Sequence, residues 1–154
     1  MTISIVTPWS GSTAHLVPDY AMAVRGCEIV TVDNACDETT AAALCGRPVP
    51  ALTGMCLRCE RNLGFSLGNN YGYQHTTGDI IIFLNSDVSG SPDWLDGVRA
   101  DVRPGSLYGP TLLRQMVYGI SLPYVEGWCV AAPRDTWERL CVGTGADRGP
   151  WDAA

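Results

Sequence analysis

The chain has 154 residues and a formal net charge of −6, with 46% hydrophobic and 17% charged residues. This length allows one domain with a core and argues against two, and the low charged fraction argues against intrinsic disorder. The acidic balance disfavours direct nucleic-acid binding, because proteins that hold DNA by its phosphates usually present a basic face.

The N-terminus and the cysteines bear on the cellular compartment. No stretch approaches the roughly 18 apolar residues of a membrane span, and the first residues lack a basic segment followed by a long apolar one. We therefore expect no membrane span, no signal peptide and a cytoplasmic protein. The seven cysteines are an odd number, and we expect them to be reduced. A zinc site built from Cys36, Cys45, Cys56 and Cys59, or redox chemistry at the last two, is an open alternative.

Short apolar runs alternate with helical patterns, which is typical of an α/β fold with a largely parallel sheet. In the first part, strands are predicted at 3–6, 28–32, 55–58 and 80–84, and helices at 16–24, 38–44, 67–77 and from Pro92 onward. Beyond Pro104 the pattern is less regular. There the sequence predicts strands near 107–113, 116–118 and 125–131, and a helix at 133–140.

Three polar clusters follow predicted strands, at Thr7-Pro8-Trp9, Asp33-Asn34 and Asn85-Ser86-Asp87. In open α/β sheets, ligands bind beyond the carboxyl ends of the strands. One carboxylate there can orient a ribose or a base, and a second can hold a divalent cation against a diphosphate. The clusters together predict a nucleoside-diphosphate site.

Each of these residues also has a purely structural interpretation. Asp33 could form a turn, Asp87 could start a helix, and Trp128 could pack in the core. The pair Asn69-Asn70 could be surface positions on a helix. The arginines Arg58 and Arg61 could contact a diphosphate or lie in a solvated loop.

At these clusters the sequence resembles the family 2 glycosyltransferases, which are inverting enzymes with the GT-A fold. Four motifs carry the resemblance over residues 3–95, in the order Ser4-Ile5-Val6-Thr7, Val32-Asp33-Asn34-Ala35-Cys36-Asp37, Asn62-Leu63-Gly64-Phe65 with Asn69-Asn70-Tyr71-Gly72, and Gly78-Asp79 through Phe83-Leu84-Asn85-Ser86-Asp87-Val88. A later motif, Glu126-Gly127-Trp128-Cys129 before Pro133-Arg134, is similar to the acceptor-side strand and helix of the same family.

The resemblance implies a Rossmann-like three-layer α/β/α sandwich with a mostly parallel central sheet. It also implies one domain over residues 1–154, in which 1–95 bind the nucleotide sugar and 96–154 face the acceptor. A UDP-, dTDP- or GDP-sugar would be the donor. The acceptor would be a saccharide, a lipid-linked glycan or another hydroxyl compound. The short acceptor side suggests a homodimer as a hypothesis.

The resemblance also implies roles for individual residues. The donor's base and ribose would contact Thr7, Pro8, Trp9, Asp33 and Asn34, and the nucleotide pocket would be lined by Arg61, Asn62 and the Asn69-Asn70 region. Asn85-Ser86-Asp87 stands where the family carries Asp-x-Asp, so Asn85 and Ser86 would contact the donor and Asp87 would bind Mg²⁺ or Mn²⁺. Glu126, Gly127 and Trp128 would face the sugar and the acceptor.

The catalytic base is the point at which the chain departs from the family. Many members take it from a Glu-Asp pair that follows a stretch like Gly149-Pro150-Trp151-Asp152, and here the sequence ends two residues later. Two interpretations are open: the chain is a C-terminally truncated form that lacks the base, or it is a short form that takes its base elsewhere. For the short form, Asp152, Asp147 and Glu126 are the substitute candidates, although each is a poor one. The alternative is a non-catalytic domain that binds the nucleotide sugar. A nucleotidyltransferase is disfavoured, because the loop after the first strand has neither Lys nor Arg.

Overall fold

The computed structural model describes residues 1–45, 53–110, 112–118 and 120–151. Seven strands and five α-helices are found in these residues: β1 (Ile3–Trp9), α1 (Val17–Ala23), β2 (Glu28–Asn34), α2 (Glu38–Cys45), β3 (Thr53–Cys59), α3 (Gly64–Tyr73), β4 (Ile80–Leu84), α4 (Trp94–Asp101), β5 (Leu112–Val117), β6 (Ile120–Val125), β7 (Cys129–Pro133) and α5 (Arg134–Leu140). Within the described ranges, none of the helices is long and apolar enough to cross a membrane.

The central sheet has five strands in the order β3-β2-β1-β4-β7. The first four are parallel, and β7 runs antiparallel to β4, with Leu84 opposite Cys129. The carboxyl ends of β1 to β4 therefore meet the start of β7 at one edge, which we call the carboxyl edge. We call the opposite side of the sheet, where β1 to β4 begin, the amino edge. This topology confirms the predicted mostly parallel sheet.

Both faces of the sheet are covered by helices. On one face, Ile5 and Ile82 belong to a buried cluster with Val98 of α4. On the other, Val6 and Phe83 pack with Tyr73 of α3 and Trp137 of α5. Because strand side chains alternate between faces, the apolar residues of β1 and the continuous apolar run of β4 supply both cores. The three-layer prediction is confirmed.

Helix α3 lies very close to the sheet. A Cβ at Gly72 would be 2.4 Å from Cγ1 of Val6, so this position has no room for a side chain. The helix spans Gly64–Tyr73 rather than the predicted 67–77. It ends early because the carbonyl of Tyr73 accepts hydrogen bonds from both the backbone N–H (3.1 Å) and the hydroxyl (2.8 Å) of Thr76.

The strands predicted after Pro104 have the wrong bounds. The segment near Tyr108 makes only an isolated bridge to Ala131, and the chain then forms a separate hairpin of β5 and β6. Tyr118 lies beyond the end of β5 with a positive φ of 49°, which separates the two strands. Met116, Tyr118 and Ile120 are exposed, so these apolar residues do not mark a buried face of the hairpin in the sequence.

The expectation that all seven cysteines are reduced is also wrong, because Cys45 and Cys56 form a disulfide. The end of α2 packs beside β3, and the two Cα atoms are 5.5 Å apart, which is within the normal range for a bridge. The disulfide removes two thiolates from the zinc alternative. Across the part of the chain that the structure describes, no group of three or more His, Cys, Asp and Glu residues is assembled for a metal.

Candidate functional site

Asp33 is the most unusual polar residue at the carboxyl edge, since its side chain is fully buried. Strand pairing places it between Trp9 and Arg58. Its Oδ1 accepts a hydrogen bond of 2.8 Å from the backbone N–H of Cys36. Its Oδ2 accepts none from the described residues, although Nε of Arg58 lies 3.5 Å away. A buried carboxylate oxygen with open acceptor capacity is costly unless a ligand donates to it.

Asn34 positions the loop that follows β3. Its Oδ1 accepts from the backbone N–H of Leu63 at 2.6 Å, and its Nδ2 donates to the carbonyl of Gly64 at 3.2 Å. Asn62 closes the same loop, because its Oδ1 accepts from the N–H of Gly64 at 2.8 Å. Both asparagine side chains therefore hold the loop in place beside Asp33.

The three residues at the end of β1 have different surroundings. Trp9 is fully buried and packs edge-on against Tyr20, with ring centroids 5.1 Å apart. The Thr7 hydroxyl is bonded to that of Tyr20 in the same core. Only Pro8 is partly exposed. The indole and the Thr7 hydroxyl are thus enclosed by protein, whereas Pro8 can offer a surface to a ligand.

Asn69 and Asn70 lie on α3 and are both buried. The Nδ2 of Asn69 donates to the carbonyl of Phe65 at 3.0 Å. Asn70 holds the C-terminal segment: its Nδ2 donates to the carbonyls of Asp147 (3.1 Å) and Trp151 (2.8 Å), and its Oδ1 accepts from the N–H of Trp151 (3.0 Å). The side chain of Asn70 therefore has a structural role, because its hydrogen bonds attach the C-terminal segment to α3.

A cleft of about 540 Å³ lies between the end of β3 and α3. The lining side chains include Arg58, Arg61, Tyr71 and Asp147. The two arginines are exposed residues that can bind an anionic group, and the carboxylates of Glu60 and Asp147 line the same cleft. Arg58 also reaches Asp33, so the cleft and the buried carboxylate are adjacent.

The turn at residues 85–87 and the segment 126–128 meet at the other end of the carboxyl edge. The N–H of Asn85 donates to the carbonyl of Trp128 at 2.8 Å, as the pairing of β4 with β7 requires. Nε1 of Trp128 donates to Oε2 of Glu126 at 3.2 Å. Asp87 is exposed and makes no hydrogen bond or ion pair with the described residues. The structure therefore brings these two predicted motifs together.

Two further residues, Asp147 and Asp152, were predicted as candidates for the catalytic base. Asp147 lines the arginine-lined cleft, and its carbonyl accepts a hydrogen bond from Asn70 of α3. Asp152 lies outside the described residues. The sequence reasoning did not select Tyr20, which fixes Thr7, or Trp151, which packs against Phe65 and Phe83 at centroid distances of 4.9 and 5.4 Å. A lone tryptophan in a polar tail was the available signal for the latter.

The cysteines outside the disulfide are poor candidates for an alternative reactive centre, because burial raises the pKa of each thiol. They are Cys27, Cys36, Cys59, Cys129 and Cys141. Burial raises the pKa of Cys27 to about 11 and that of Cys129 to about 12. Thiols with such pKa values stay protonated at neutral pH and are poor nucleophiles. The carboxyl edge is therefore the candidate site.

The structure is similar to the solved structures of a mannosyltransferase and of TarS. The mannosyltransferase PcManGT from Pyrobaculum calidifontis, solved with GDP-Man and Mn²⁺, is 20% identical with a TM-score of 0.71, covering 98% of this chain and 49% of that one. S. aureus TarS 1-349 is 18% identical with a TM-score of 0.54, covering 65% and 32%. Its complex with UDP-GlcNAc gives 20% identity, a TM-score of 0.55, and 65% and 30%. At these identities the similarity shows the fold.

The chain spans about half the length of PcManGT and about a third of TarS 1-349. No curated protein sequence matches it. Residues 25–102 match the family model described as Glycosyl transferase family 2. This match covers half of the chain, including Asp33 and the 85–87 turn. The chain therefore belongs to glycosyl transferase family 2 and has the GT-A fold.

Proposed function

We propose that this chain transfers a sugar from a nucleoside-diphosphate sugar to an acceptor hydroxyl with inversion, assisted by a divalent cation. Residues 1–95 would bind the donor and 96–154 would face the acceptor. The observation that carries the proposal is the buried Asp33 carboxylate, whose Oδ2 has open acceptor capacity at the carboxyl edge. A nucleobase N–H or a ribose hydroxyl is the kind of donor that it lacks.

The surroundings of Asp33 support a nucleotide with negative charge. The loop held by Asn34 covers one side, and Arg58 and Arg61 supply positive charge that can face the diphosphate. The relatives' structures contain GDP-Man and UDP-GlcNAc. GDP- and UDP-sugars are therefore the first donors to test, with dTDP-sugars as a third class.

Asp87 is the residue that would hold Mg²⁺ or Mn²⁺. Its carboxylate is exposed and unpartnered among the described residues, and oxygen is the ligand that both ions accept. A single protein carboxylate fits such an ion, because Mg²⁺ is usually held by one or two carboxylates together with substrate phosphates. When bound, the ion would neutralise charge on the diphosphate leaving group.

Glu126 is the candidate base that the fold favours. Strand pairing brings its segment to the 85–87 turn, and the Trp128 indole fixes its Oε2. A carboxylate there would accept the proton of the acceptor hydroxyl as the hydroxyl oxygen attacks the anomeric carbon and the bond to the diphosphate breaks. Attack on the face opposite the leaving group inverts that carbon. Asp147 is less suited, since it lies in the arginine-lined cleft.

The first experiment is a thermal-shift panel of UDP-, dTDP- and GDP-sugars with and without Mn²⁺. A ligand that binds only the native state raises the melting temperature by mass action. We expect one donor class to give a shift that Mn²⁺ enlarges, and Asp87→Ala to remove the Mn²⁺-dependent part. Asp101→Ala is the matched control, since Asp101 is also an exposed aspartate but lies on α4. No shift with any donor would overturn the proposal.

Turnover is tested separately with the donor that binds, by mass spectrometry of the products. Glu126→Gln should bind this donor as the wild type does while forming product at least about 100-fold more slowly. Donor binding without product in the wild type would instead support the alternative, a non-catalytic nucleotide-sugar-binding domain.

A further inference from the structure

A second, apolar pocket opens at the carboxyl edge beside the 85–87 turn. Its volume is about 360 Å³. We call it the side pocket, and it is lined by Leu84, Val88, Ser89, Gly90, Ser91, Trp94, Pro110, Trp128 and Cys129. None of these side chains carries a charge, because burial keeps the thiol of Cys129 protonated. The side pocket thus differs from the arginine-lined cleft in the chemistry that it offers.

The walls of the side pocket are held in place by the fold. Leu84 and Cys129 are each 3% exposed and form its base at the β4–β7 pairing. The indole of Trp94 donates to the carbonyl of Ala23 at 2.9 Å, and that of Trp128 donates to Glu126 at 3.2 Å. At the rim, a Cβ on Gly90 would have no atom within 4 Å. The pocket is therefore a preformed apolar cavity with an open rim.

The position of the side pocket relates it to the acceptor rather than to the donor nucleotide. Leu84 directly precedes the 85–87 turn, and the carbonyl of Trp128 binds the N–H of Asn85. The charged groups that suit a nucleotide, Asp33 and Arg58, lie at the β2–β3 end of the sheet. An acceptor whose hydroxyl reaches Glu126 would pass Trp128, which is 37% exposed, and extend to the side pocket.

We propose that the side pocket binds an apolar group of the acceptor, either an aromatic ring or a short alkyl chain attached to the sugar or hydroxyl compound that is glycosylated. This inference rests on the proposed function. Ligand pockets usually have volumes of about 300 to 1,000 Å³, and an apolar cavity of about 150 Å³ already holds benzene. The indoles of Trp94 and Trp128 are suited to contact such a ring.

The test compares 4-nitrophenyl β-glucoside with methyl β-glucoside by titration calorimetry, with the nucleoside diphosphate and Mn²⁺ present and absent. These probes share the sugar and differ in the apolar group. Burial of the ring should make the nitrophenyl compound bind at least about tenfold more tightly to the wild type. Ser91→Phe adds an apolar side chain at the rim and should abolish the preference. Ser89→Phe does the same from a neighbouring position, in case the first variant does not fold.

Ser106→Phe is the matched control, because Ser106 is an exposed serine outside the side pocket. It should retain the preference for the nitrophenyl compound. Equal affinity of the wild type for the two glucosides would overturn the inference, and so would a preference that survives in both rim variants.

Donor binding and glucoside binding are measured independently, so an incorrect side-pocket assignment can be distinguished from an incorrect proposed function. Melting temperatures with the donor and Mn²⁺ are measured on the same samples. A donor shift with no preference between the glucosides overturns the side-pocket assignment alone. The lack of a donor shift overturns the proposed function and, with it, the assignment of the side pocket to an acceptor.

Discussion

The carboxylates at the two edges of the central sheet differ in the hydrogen bonds that they accept from the protein. At the amino edge, Glu28 accepts hydrogen bonds from the hydroxyl of Ser4 and from the N–H and hydroxyl of Thr77, the latter two at 2.8 Å. Asp79 accepts there from the N–H of Thr2 at 2.7 Å. At the carboxyl edge, Oδ2 of Asp33 accepts no hydrogen bond from the described residues and lies 3.5 Å from Nε of Arg58 as an ion pair, and Asp87 has no partner among them.

The difference separates residues that stabilise the fold from residues that are available to a ligand. At the amino edge the protein itself supplies the donors, so these carboxylates contribute to stability. At the carboxyl edge it leaves acceptor capacity open, although an unsatisfied buried polar atom costs about 1 to 3 kcal/mol. Four substitutions, one at each carboxylate, test whether the two edges differ in this way.

The largest effect is expected for Asp33→Asn. The amide keeps an oxygen for the N–H of Cys36 but removes the negative charge, and hydrogen bonds to charged groups contribute about 1.5 to 3 kcal/mol. Donor affinity should fall about 30-fold in a calorimetric titration with the UDP- or GDP-sugar that binds the wild type. Asp37→Asn is the control, since Asp37 caps the start of α2 through the N–H of Thr40. An unchanged donor affinity in Asp33→Asn would contradict the assignment of the Asp33 carboxylate to donor binding.

The second-largest effect is expected for Asp87→Asn, which should lower donor affinity by weakening the binding of the metal ion. A neutral amide is a weaker ligand for Mg²⁺ or Mn²⁺, so donor affinity measured with Mn²⁺ should fall about tenfold, while affinity without metal stays the same. The free energy of unfolding should change by less than about 0.5 kcal/mol, because the exposed side chain has no described partner. A loss of stability without a loss of metal dependence would place Asp87 with the amino-edge carboxylates.

The third effect, at Glu28, concerns stability and its dependence on pH. Burial raises the pKa of Glu28, but the hydrogen bonds from Ser4, Thr77 and Gly78 outweigh it, and the pKa lies below its ordinary value of 4.5. A carboxyl group with a lowered pKa in the folded state stabilises the protein above the unfolded pKa. This stability is lost as the pH falls through the folded pKa.

Glu28→Gln should therefore lower the free energy of unfolding by about 1 kcal/mol at pH 7 and flatten its decline below pH 4.5. Urea unfolding between pH 3 and 7 measures both effects. Donor binding should be unchanged at pH 7, since Glu28 lies at the edge opposite Asp33. Weaker donor binding with unchanged stability would reverse the assignment of the two edges.

The smallest effect is expected for Asp79→Asn. Hydrogen bonds from Thr2 lower the pKa of this carboxyl group, but the residue is exposed and solvent screens its charge. The melting temperature should shift by less than about 2 °C, and donor binding should not change. A shift in donor affinity would be incompatible with a purely structural amino edge.

Local patterns predicted the order of the strands and helices in the first part of the fold, although the predicted bounds of α3 were wrong. The continuous apolar run of β4 predicted its bounds, and the polar residues after three strands predict a site at the carboxyl edge, which stays a prediction. Both follow from short-range rules: a strand buried on two faces is apolar throughout, and parallel strands bring their carboxyl ends to one edge. The family motifs over residues 3–95 added the fold type, which the structure confirms.

Side-chain surroundings were not predictable in the same way. Trp9 and Asn70 were expected near the nucleotide, yet Trp9 packs on Tyr20 and Asn70 clasps Trp151, which is 81 residues away. Cys45 and Cys56 were expected to be thiols and form a disulfide. Each outcome depends on a partner from another element, and no local pattern encodes which partner will be adjacent.

The alternating α/β order, the family and the positions of Asp33 and Asp87 at strand ends can be predicted from the sequence, because periodicity and short motifs are local properties of the chain. The tertiary structure is needed to show which polar groups have hydrogen-bond partners within the protein. Satisfaction of a hydrogen bond depends on which side chains from distant segments meet in space. The open Oδ2 of Asp33 and the apolar side pocket therefore became visible only after folding placed β2 beside β3 and β4 beside β7.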